Sequence, residues 1–418
     1  MSGGRNLAQE LAGTFGGVAA RTASKRPEDS WLYEARSGYW KRVLSAREQG
    51  KGIAWVSFCA MPEIFWAMDL VPWPMEATFG ILTGLPKGIG EYLDIGDRFV
   101  SDHVCAANRS MIGAAVAGDL GVPDVIIHAS KPCDSALSAF SNVAGYLGVP
   151  HFCVDIPYWQ DGATFEYLSH EIELLVAFLE EQTGRKMDYD RLKEVVQYSN
   201  QAHEYYGKIN ELRKLRPCPM PGVLLGHNAG SFMALAGTPE LVGYARSQYE
   251  LGAARAARGE GQVPDEKLRL GWVYVPVMHD LGLFEWLERE FGAVVPMDMI
   301  GNYVNTPIED LSSLKSIYRG LAEKLADLPM VRESRGPMEY HANAVIELCR
   351  DYHCDAALFS GHMGCKHGWA IAKLIKDKVK EALGIPMLIF DVDCFDPRIA
   401  SPATVRSRIG DFLSVLQA

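Results

Sequence analysis

The sequence predicts an α/β fold built from two Rossmann-like lobes, each with a doubly wound parallel sheet, joined by a helical block. Short apolar runs alternate with helical patterns from residue 52 to residue 156, and the same alternation restarts after residue 265. Because 418 residues exceed the usual length of a domain with a single hydrophobic core, the length also favours two domains. The predicted boundaries are an N-terminal helical arm at 1–50, a first lobe at 51–163, a helical block at 164–265 and a second lobe at 266–418.

The first lobe begins with a continuous apolar run at residues 52–58, which is typical of a strand buried within a parallel sheet. Pro62 suits the first turn of the next helix, and Asp134 is well placed to cap a later one. A glycine-rich loop is predicted between the second strand and residue 98. The remaining predicted elements are strands at 71–75, 124–129 and 151–156 and helices at 62–68, 108–119 and 135–147.

The helical block has apolar residues at helical spacing from residue 164 to about residue 216. The prolines of residues 217–221 end it, because proline cannot continue a helix. A further helix at 239–258 and a linker at 259–264 follow. The second lobe then has predicted strands at 268–277, 293–297, 356–359 and 386–392 and predicted helices at 281–291, 310–326, 338–351, 369–383 and 402–417.

Composition and charge exclude several classes of function. The formal net charge is −11, and no basic patch is found, which argues against nucleic acid as a partner. No apolar run is long enough to span a membrane. Because the N-terminus has no apolar signal core, we expect a cytoplasmic protein.

Nine cysteines in a cytoplasmic chain are expected to be metal ligands, reactive thiols or core residues rather than disulfides. Three of them, Cys105, Cys133 and Cys365, fall at predicted strand-to-helix junctions. In open α/β sheets that edge is where ligands bind. Three thiolates converging from two lobes would form a soft-metal site, and an iron–sulfur cluster is the favoured interpretation. Each cysteine taken alone is better explained as a buried core residue than as a ligand, because free cysteine is among the most buried residue types.

Two more cysteines, Cys59 and Cys394, also end predicted strands at this edge, so they are candidates for additional metal ligands. The other four receive no metal role because they lie inside a strand, inside a helix, in a proline-rich turn or just before a strand: Cys153, Cys349, Cys218 and Cys354.

An ordered set of motifs over residues 50–418 resembles the 2-hydroxyacyl-CoA dehydratase / benzoyl-CoA reductase family of enzyme subunits. The set comprises Pro62-Glu63-Ile64 with Ala67 and Pro72, Cys105 before a helix, Cys133-Asp134 after a strand, residues 283–295, Gly364-Cys365-Lys366, Gly384-Ile385-Pro386, Asp391-Val392-Asp393 with Asp396-Pro397-Arg398, and Arg408-Ile409 with Phe412. No single motif is diagnostic, whereas their order is fairly specific.

The resemblance implies one [4Fe–4S] cluster per subunit, held by Cys105, Cys133 and Cys365, with one iron left open for substrate. It also implies a paralogous or identical partner subunit and a separate ATP-hydrolysing iron–sulfur activator that supplies a low-potential electron. The substrate would be a CoA thioester, which either loses a 2-hydroxyl group or has an aryl ring reduced. Gly364-Cys365-Lys366 and Asp393-Cys394 favour the reductase side. Ligation by Cys59 and Cys394 would indicate a larger cluster, as in the family's double-cubane ATP-dependent reductases of small molecules.

Side chains near the three cysteines are candidates for catalysis and substrate binding. Glu63 and His362 are the candidate proton-transfer residues, although Glu63 suits a structural role in a first helical turn and His362 suits a core position. Substrate binding is assigned to an apolar group and to a lysine that could pair with a CoA phosphate: Trp66, Trp73, Met363 and Lys366. Core packing and a solvated surface explain these four residues equally well.

Two alternatives to a catalytic subunit remain at this point. The chain could be an electron-transfer or scaffold subunit whose partner binds the substrate, in which case it should not bind acyl-CoA. It could also be a cluster-free α/β binding protein, in which case alanine at any of the three cysteines would change stability but not metal content.

Overall fold

The computed structural model describes residues 5–25, 30–58, 60–303 and 306–418. It contains two four-stranded parallel sheets surrounded by helices, which confirms the predicted α/β class with two doubly wound lobes. The N-terminal arm forms two helices that pack against each other, α1 (Leu7–Lys25) and α2 (Trp31–Ser45).

The first sheet has the strand order β2-β1-β3-β4, and each neighbouring pair is parallel. The residues of β1, β2 and β3 are almost all buried, as expected for strands covered on both faces. The elements of this lobe are β1 (Gly52–Val56), α3 (Pro62–Ala67), β2 (Leu70–Pro74), α4 (Met75–Thr83), α5 (Gly90–Gly96), α6 (Ala106–Ala117), β3 (Val125–Ala129), α7 (Asp134–Leu147) and β4 (His151–Val154).

The two helices α4 and α5 replace the predicted glycine-rich loop. Gly96 at the end of α5 and Gly113 in α6 serve close packing between these two helices. A Cβ atom on Gly113 of α6 would lie 1.9 Å from the carbonyl oxygen of Tyr92 in α5, and one on Gly96 would lie 2.2 Å from that of Arg109. Glycine therefore lets α5 and α6 approach until their backbones touch, which glycine content alone does not reveal.

Four helices connect the lobes: α8 (Gly162–Thr183), α9 (Tyr189–Lys214), α10 (Leu224–Leu235) and α11 (Pro239–Ala257). Asp161 and Thr164 form a capping box at the start of α8. Helix α10 has 12 residues and was not predicted from the sequence, since it lies between the prolines of residues 217–221 and Pro239.

The second sheet repeats the arrangement of the first, with the order β6-β5-β7-β8 and parallel pairs throughout. Its elements are β5 (Leu268–Val273), α12 (Leu283–Phe291), β6 (Ala293–Asp298), α13 (Leu314–Ala326), α14 (Val331–Ser334), α15 (Met338–Asp351), β7 (Ala356–His362), α16 (Lys366–Leu383), β8 (Met387–Val392) and α17 (Pro402–Gln417). In the described part of the chain, no helix has both the length and the apolar character needed to cross a membrane.

A buried ion pair joins the two lobes through the helical block. Glu63 of α3 pairs with Lys324 of α13, and Ser199 of α9 donates a hydrogen bond to Glu63 Oε1 at 2.6 Å. Burial alone would raise the pKa of the Glu63 carboxyl, but the Lys324 charge and the hydrogen bonds hold it below its ordinary value. Three segments distant in sequence thus meet at one charged contact.

Candidate functional site

A largely apolar cavity of about 1240 Å³, including its open mouth, lies between the carboxyl edges of the two sheets. We call it the central cavity. Its wall includes residues that follow four different strands: Phe58 after β1, Cys133 after β3, Tyr274 after β5 and Cys365 after β7. In each sheet these two strands are neighbours, with connections that leave in opposite directions. That arrangement is the topological switch point at which α/β sheets bind ligands.

All three cysteines predicted as ligands line the central cavity. Each immediately precedes a helix: Cys105 precedes α6, Cys133 precedes α7 and Cys365 precedes α16. The predicted strand-to-helix junction is wrong for Cys105, which follows α5 and a loop rather than a strand. The N-terminal end of a helix carries partial positive charge, which stabilises a thiolate. The turns approach closely, since a Cβ atom on Gly364 would lie 2.6 Å from the Cα atom of Cys105.

The three thiols share one electrostatic environment. Burial raises the pKa of Cys133 to about 12, and it raises the pKa of Cys105 and of Cys365 as well. A negative charge on one of these sulfur atoms also opposes ionisation of another, because Cys133 and Cys365 both contribute to the raised pKa of Cys105. Three partly buried thiols of this kind are stable as thiolates only when a positively charged group compensates them, and metal coordination does so directly.

Each sulfur atom also accepts or shares a hydrogen bond. The Ala136 backbone N–H donates to Cys133 Sγ at 3.2 Å. The Tyr274 hydroxyl lies 2.6 Å from Cys365 Sγ, and His362 Nε2 lies 3.2 Å from Cys105 Sγ. Both side-chain partners therefore come from the second lobe.

The hydrogen bonds of His362 define its tautomer. Its Nδ1 atom accepts the backbone N–H of Cys394 at 3.2 Å, so the proton of the neutral ring is on Nε2 and faces Cys105 Sγ. Burial lowers the pKa of His362, although the nearby Asp393 charge acts in the opposite direction. The ring is 3% exposed and is therefore suited to donate to a thiolate.

Among the described residues, no three His, Cys, Asp or Glu side chains are arranged around a single metal ion. A cubane iron–sulfur cluster is larger than one ion, however, and holds its thiolates farther apart. Three thiols around an apolar cavity form a soft donor set that suits such a cluster.

A carboxyl group that the sequence patterns did not reveal, Glu76, also lines the central cavity. Its Oε2 atom accepts the Phe58 backbone N–H at 3.2 Å, while Oε1 has no hydrogen-bond partner among the described residues. Burial raises the pKa of Glu76 to about 8. The sequence signal for this group is an acidic residue two positions after the buried run of β2, but the glycines that follow it predict a loop.

Two other polar groups of the cavity wall were also missed. Asn108 donates from Nδ2 to Ser135 Oγ at 3.0 Å, and its Oδ1 atom has no partner in the described ranges. Arg36 reaches the cavity from α2, in the predicted arm. Arg36 is far in sequence from the motifs that led to the cysteines, whereas Asn108 lies three residues after Cys105, in the first turn of α6.

Several predicted site residues do not line the central cavity. Glu63 lies in the ion pair with Lys324. The two tryptophans are buried in the core, where Trp66 Nε1 donates to the Ala234 carbonyl oxygen and Trp73 Nε1 donates to Thr78 Oγ1. Met363 and Lys366 are not part of the cavity wall, and Met363 is half exposed.

Of the two cysteines predicted as possible additional ligands, Cys394 lies in the described part of the chain. Cys394 is buried outside the cavity wall and donates to the Val275 carbonyl oxygen at 3.3 Å. Cys59 lies outside the described residues.

Residues 58–416 match the model of a family described as 2-hydroxyglutaryl-CoA dehydratase, D-component. The lactoyl-CoA dehydratase subunit alpha of Anaerotignum propionicum is 24% identical over 414 residues, which cover 89% of this chain and 92% of the relative. The (R)-phenyllactyl-CoA dehydratase alpha subunit of Clostridium sporogenes is 21% identical, with 93% and 95% covered. A benzoyl-CoA reductase subunit of Thauera aromatica is 22% identical, with 92% and 93% covered.

Proposed function

Since this chain belongs to the 2-hydroxyglutaryl-CoA dehydratase D-component family and is an enzyme subunit of that kind, we propose that it is the cluster-bearing subunit of an oxygen-sensitive 2-hydroxyacyl-CoA dehydratase. The observation that carries the proposal is that three cysteines from two lobes line one apolar cavity at the switch points of both sheets. The sequence motifs favoured a reductase. We propose a dehydratase instead, because the family description and two of these three relatives name dehydratases. Reduction of a benzoyl-CoA-like substrate is the second candidate, supported by the third relative.

In this proposal Cys105, Cys133 and Cys365 hold a [4Fe–4S] cluster. Such a cluster supplies a single electron at low potential, which a thioester carbonyl requires. The helix N-termini behind the three sulfur atoms stabilise the thiolates. His362 and Tyr274 donate hydrogen bonds to two of the sulfur atoms, so they orient the ligands and influence the reduction potential.

The cavity walls keep water away from the reacting thioester. Apolar side chains from both lobes and from the helical block form most of the wall, including Met278, Ile300 and Phe395. A reactive radical of the substrate would otherwise take protons from water.

Glu76 is proposed to carry a proton in the cavity. With a pKa of about 8, its carboxyl group is mostly protonated at neutral pH, and Oε1 is not occupied by a protein partner among the described residues. The hydroxyl of a 2-hydroxyacyl group leaves as water only if it receives a proton, and a neutral acid in a dry cavity supplies one.

Two protein partners follow from the family resemblance. One is a second subunit, identical or paralogous, and two of the three relatives are themselves named alpha subunits. The other is an ATP-hydrolysing iron–sulfur activator that delivers the electron.

The proposal is tested with anaerobically purified protein in two steps. The first measures iron and acid-labile sulfide, with an expected content of about four irons per chain, the number in one such cluster. The second titrates lactoyl-CoA, 2-hydroxyglutaryl-CoA and benzoyl-CoA while the electronic spectrum is followed, and a thioester-dependent change is expected. Iron-free protein after anaerobic reconstitution would contradict the proposal. A cluster without thioester binding would instead support an electron-transfer or scaffold subunit.

A further inference from the structure

Arg36 is a buried cation in the wall of the central cavity. It lies in α2, outside the residues that the family model matches, and its side chain is 8% exposed. Its Nη2 atom donates to the His227 carbonyl oxygen at 2.9 Å, and its guanidinium lies 5.4 Å from the centroid of the Phe15 ring. Among the described residues, Arg36 has no carboxylate partner.

A guanidinium in this setting is suited to a ligand anion. Arginine has five N–H donors and remains charged in proteins, whereas the contact with His227 occupies only one atom of the group. Burying such a charge without an anionic partner is costly. The remaining donors can form the paired hydrogen bonds that arginine makes with a carboxylate.

Space for such a group exists beside Arg36. Gly226 and Gly230, one turn apart on α10, also line the cavity. A Cβ atom on Gly226 would meet nothing within 4 Å, and the nearest atom to one on Gly230 would be Arg36 Nη2 at 3.8 Å. The wall is therefore open next to the guanidinium.

The arginine and the cysteines line the cavity from different elements of the fold, since the cysteines precede α6, α7 and α16 and Arg36 lies in α2. The side chains that contact the sulfur atoms, Tyr274 and His362, come from the second lobe, whereas Arg36 contacts α10 and α1. The Glu76 carboxyl forms no ion pair with Arg36 in the described part of the chain, and burial rather than a nearby cation dominates its pKa. A molecule with its thioester near the sulfur atoms can thus present a distal group to Arg36.

We propose that Arg36 binds a carboxylate at the far end of the acyl group, so that the substrate is a 2-hydroxyacyl-CoA whose acyl chain carries a second, free carboxylate. This inference rests on the proposed function, because it takes the cavity to hold the acyl group of a CoA thioester. Arg36 acts here as a specificity-determining residue.

The test compares three ligands by equilibrium titration of the anaerobically purified protein: 2-hydroxyglutaryl-CoA, the analogue with its free carboxylate replaced by a carboxamide, and CoA itself. Because hydrogen bonds to a charged group are stronger than neutral ones, the carboxylate should bind about 10- to 100-fold more tightly than the amide. Arg36→Met should abolish that preference by weakening binding of the carboxylate far more than binding of the amide, and it should leave the affinity for CoA unchanged. Lys41→Met, which removes an exposed cation from the same helix, should retain the preference.

A second variant keeps the test decisive if Arg36→Met does not fold. Gly226→Val retains the arginine and fills the open space beside it, so it should weaken binding of the carboxylate while CoA binding persists. Equal affinity of the wild-type protein for carboxylate and amide would overturn the inference and leave the proposed function intact. Weaker binding of CoA itself by Arg36→Met would assign the arginine to a CoA phosphate and also overturn it. If no thioester binds the wild-type protein, the proposed function itself fails.

Discussion

The two sheets have the same strand order and the same parallel pairing, yet they supply different groups to the central cavity. The first lobe contributes two of the three thiols, Cys105 and Cys133, and the Glu76 carboxyl. The second lobe contributes Cys365 and the two side chains that hydrogen-bond to sulfur, Tyr274 and His362. Neither lobe alone has a complete donor set. The two lobes thus have the same sheet topology, whereas the site forms only where the two lobes meet.

The largest effect should be the loss of iron when any of the three cysteines contributed by the two lobes is replaced. Serine at Cys105, at Cys133 or at Cys365 should each remove most of the iron, because a cluster held by three thiolates loses one anchor whichever lobe is changed. Alanine at Cys394, a buried cysteine outside the cavity wall, should leave the iron content unchanged. Iron and sulfide analysis of anaerobic protein measures this. Iron loss in the Cys394 variant would show that Cys394 is also a ligand. The second lobe would then supply two thiolates rather than one.

The next largest effect should be on the free energy of unfolding, when the buried ion pair between the lobes is broken. Glu63→Gln leaves the buried Lys324 ammonium without its partner, which should cost about 3–5 kcal/mol of unfolding free energy. Asp377→Asn breaks an exposed pair with Lys373 on α16 and should change stability very little. Urea denaturation of the metal-free protein measures both. Equal stability of the two variants would show that this ion pair does not hold the lobes together.

The Glu76 carboxyl should make stability depend on pH. Because its pKa in the folded state, about 8, is above the ordinary value of 4.5, folding favours the protonated form. The resulting stabilisation is complete below about pH 4.5 and is lost as the pH rises towards 8, with a slope of at most about 1.4 kcal/mol per pH unit. Glu76→Gln should flatten this fall, whereas Glu48→Gln, at an exposed position, should not. Denaturation of metal-free protein at about pH 5.5 and about pH 8.5 provides the comparison, and an unchanged slope in Glu76→Gln would refute it.

The smallest effect should be on the reduction potential. Tyr274→Phe removes the hydroxyl beside Cys365 Sγ. A donor to a thiolate stabilises the more negative, reduced cluster, and ~1 kcal/mol of such stabilisation corresponds to about 40 mV for one electron. The variant should therefore have a potential lower by that amount in an anaerobic redox titration followed by electron paramagnetic resonance. Tyr189→Phe, which loses a hydrogen bond to the Leu311 carbonyl oxygen far from the cavity, is the control. A rise in potential would contradict this role for Tyr274.

The sequence was most informative where a local pattern fixes a local structure. The apolar runs located every strand of both described sheets, and strand-to-helix junctions pointed correctly to Cys133 and Cys365. Cys105 also lines the cavity, although it follows a helix and a loop rather than the predicted strand. Glycines were misleading in residues 75–96, because their role in helix contact depends on a partner helix that a local pattern does not identify. Glu76 and Arg36 were missed for a related reason. Whether a charged residue faces solvent or a cavity depends on distant segments, such as α10 beside Arg36.

The most direct measurement is a crystal structure of the anaerobically purified protein with data collected at the iron absorption edge. We predict one compact group of iron atoms in the central cavity, bonded to the sulfur atoms of Cys105, Cys133 and Cys365, with one iron free of any cysteine. A cavity without iron, or iron bound to cysteines elsewhere in the chain, would contradict this prediction.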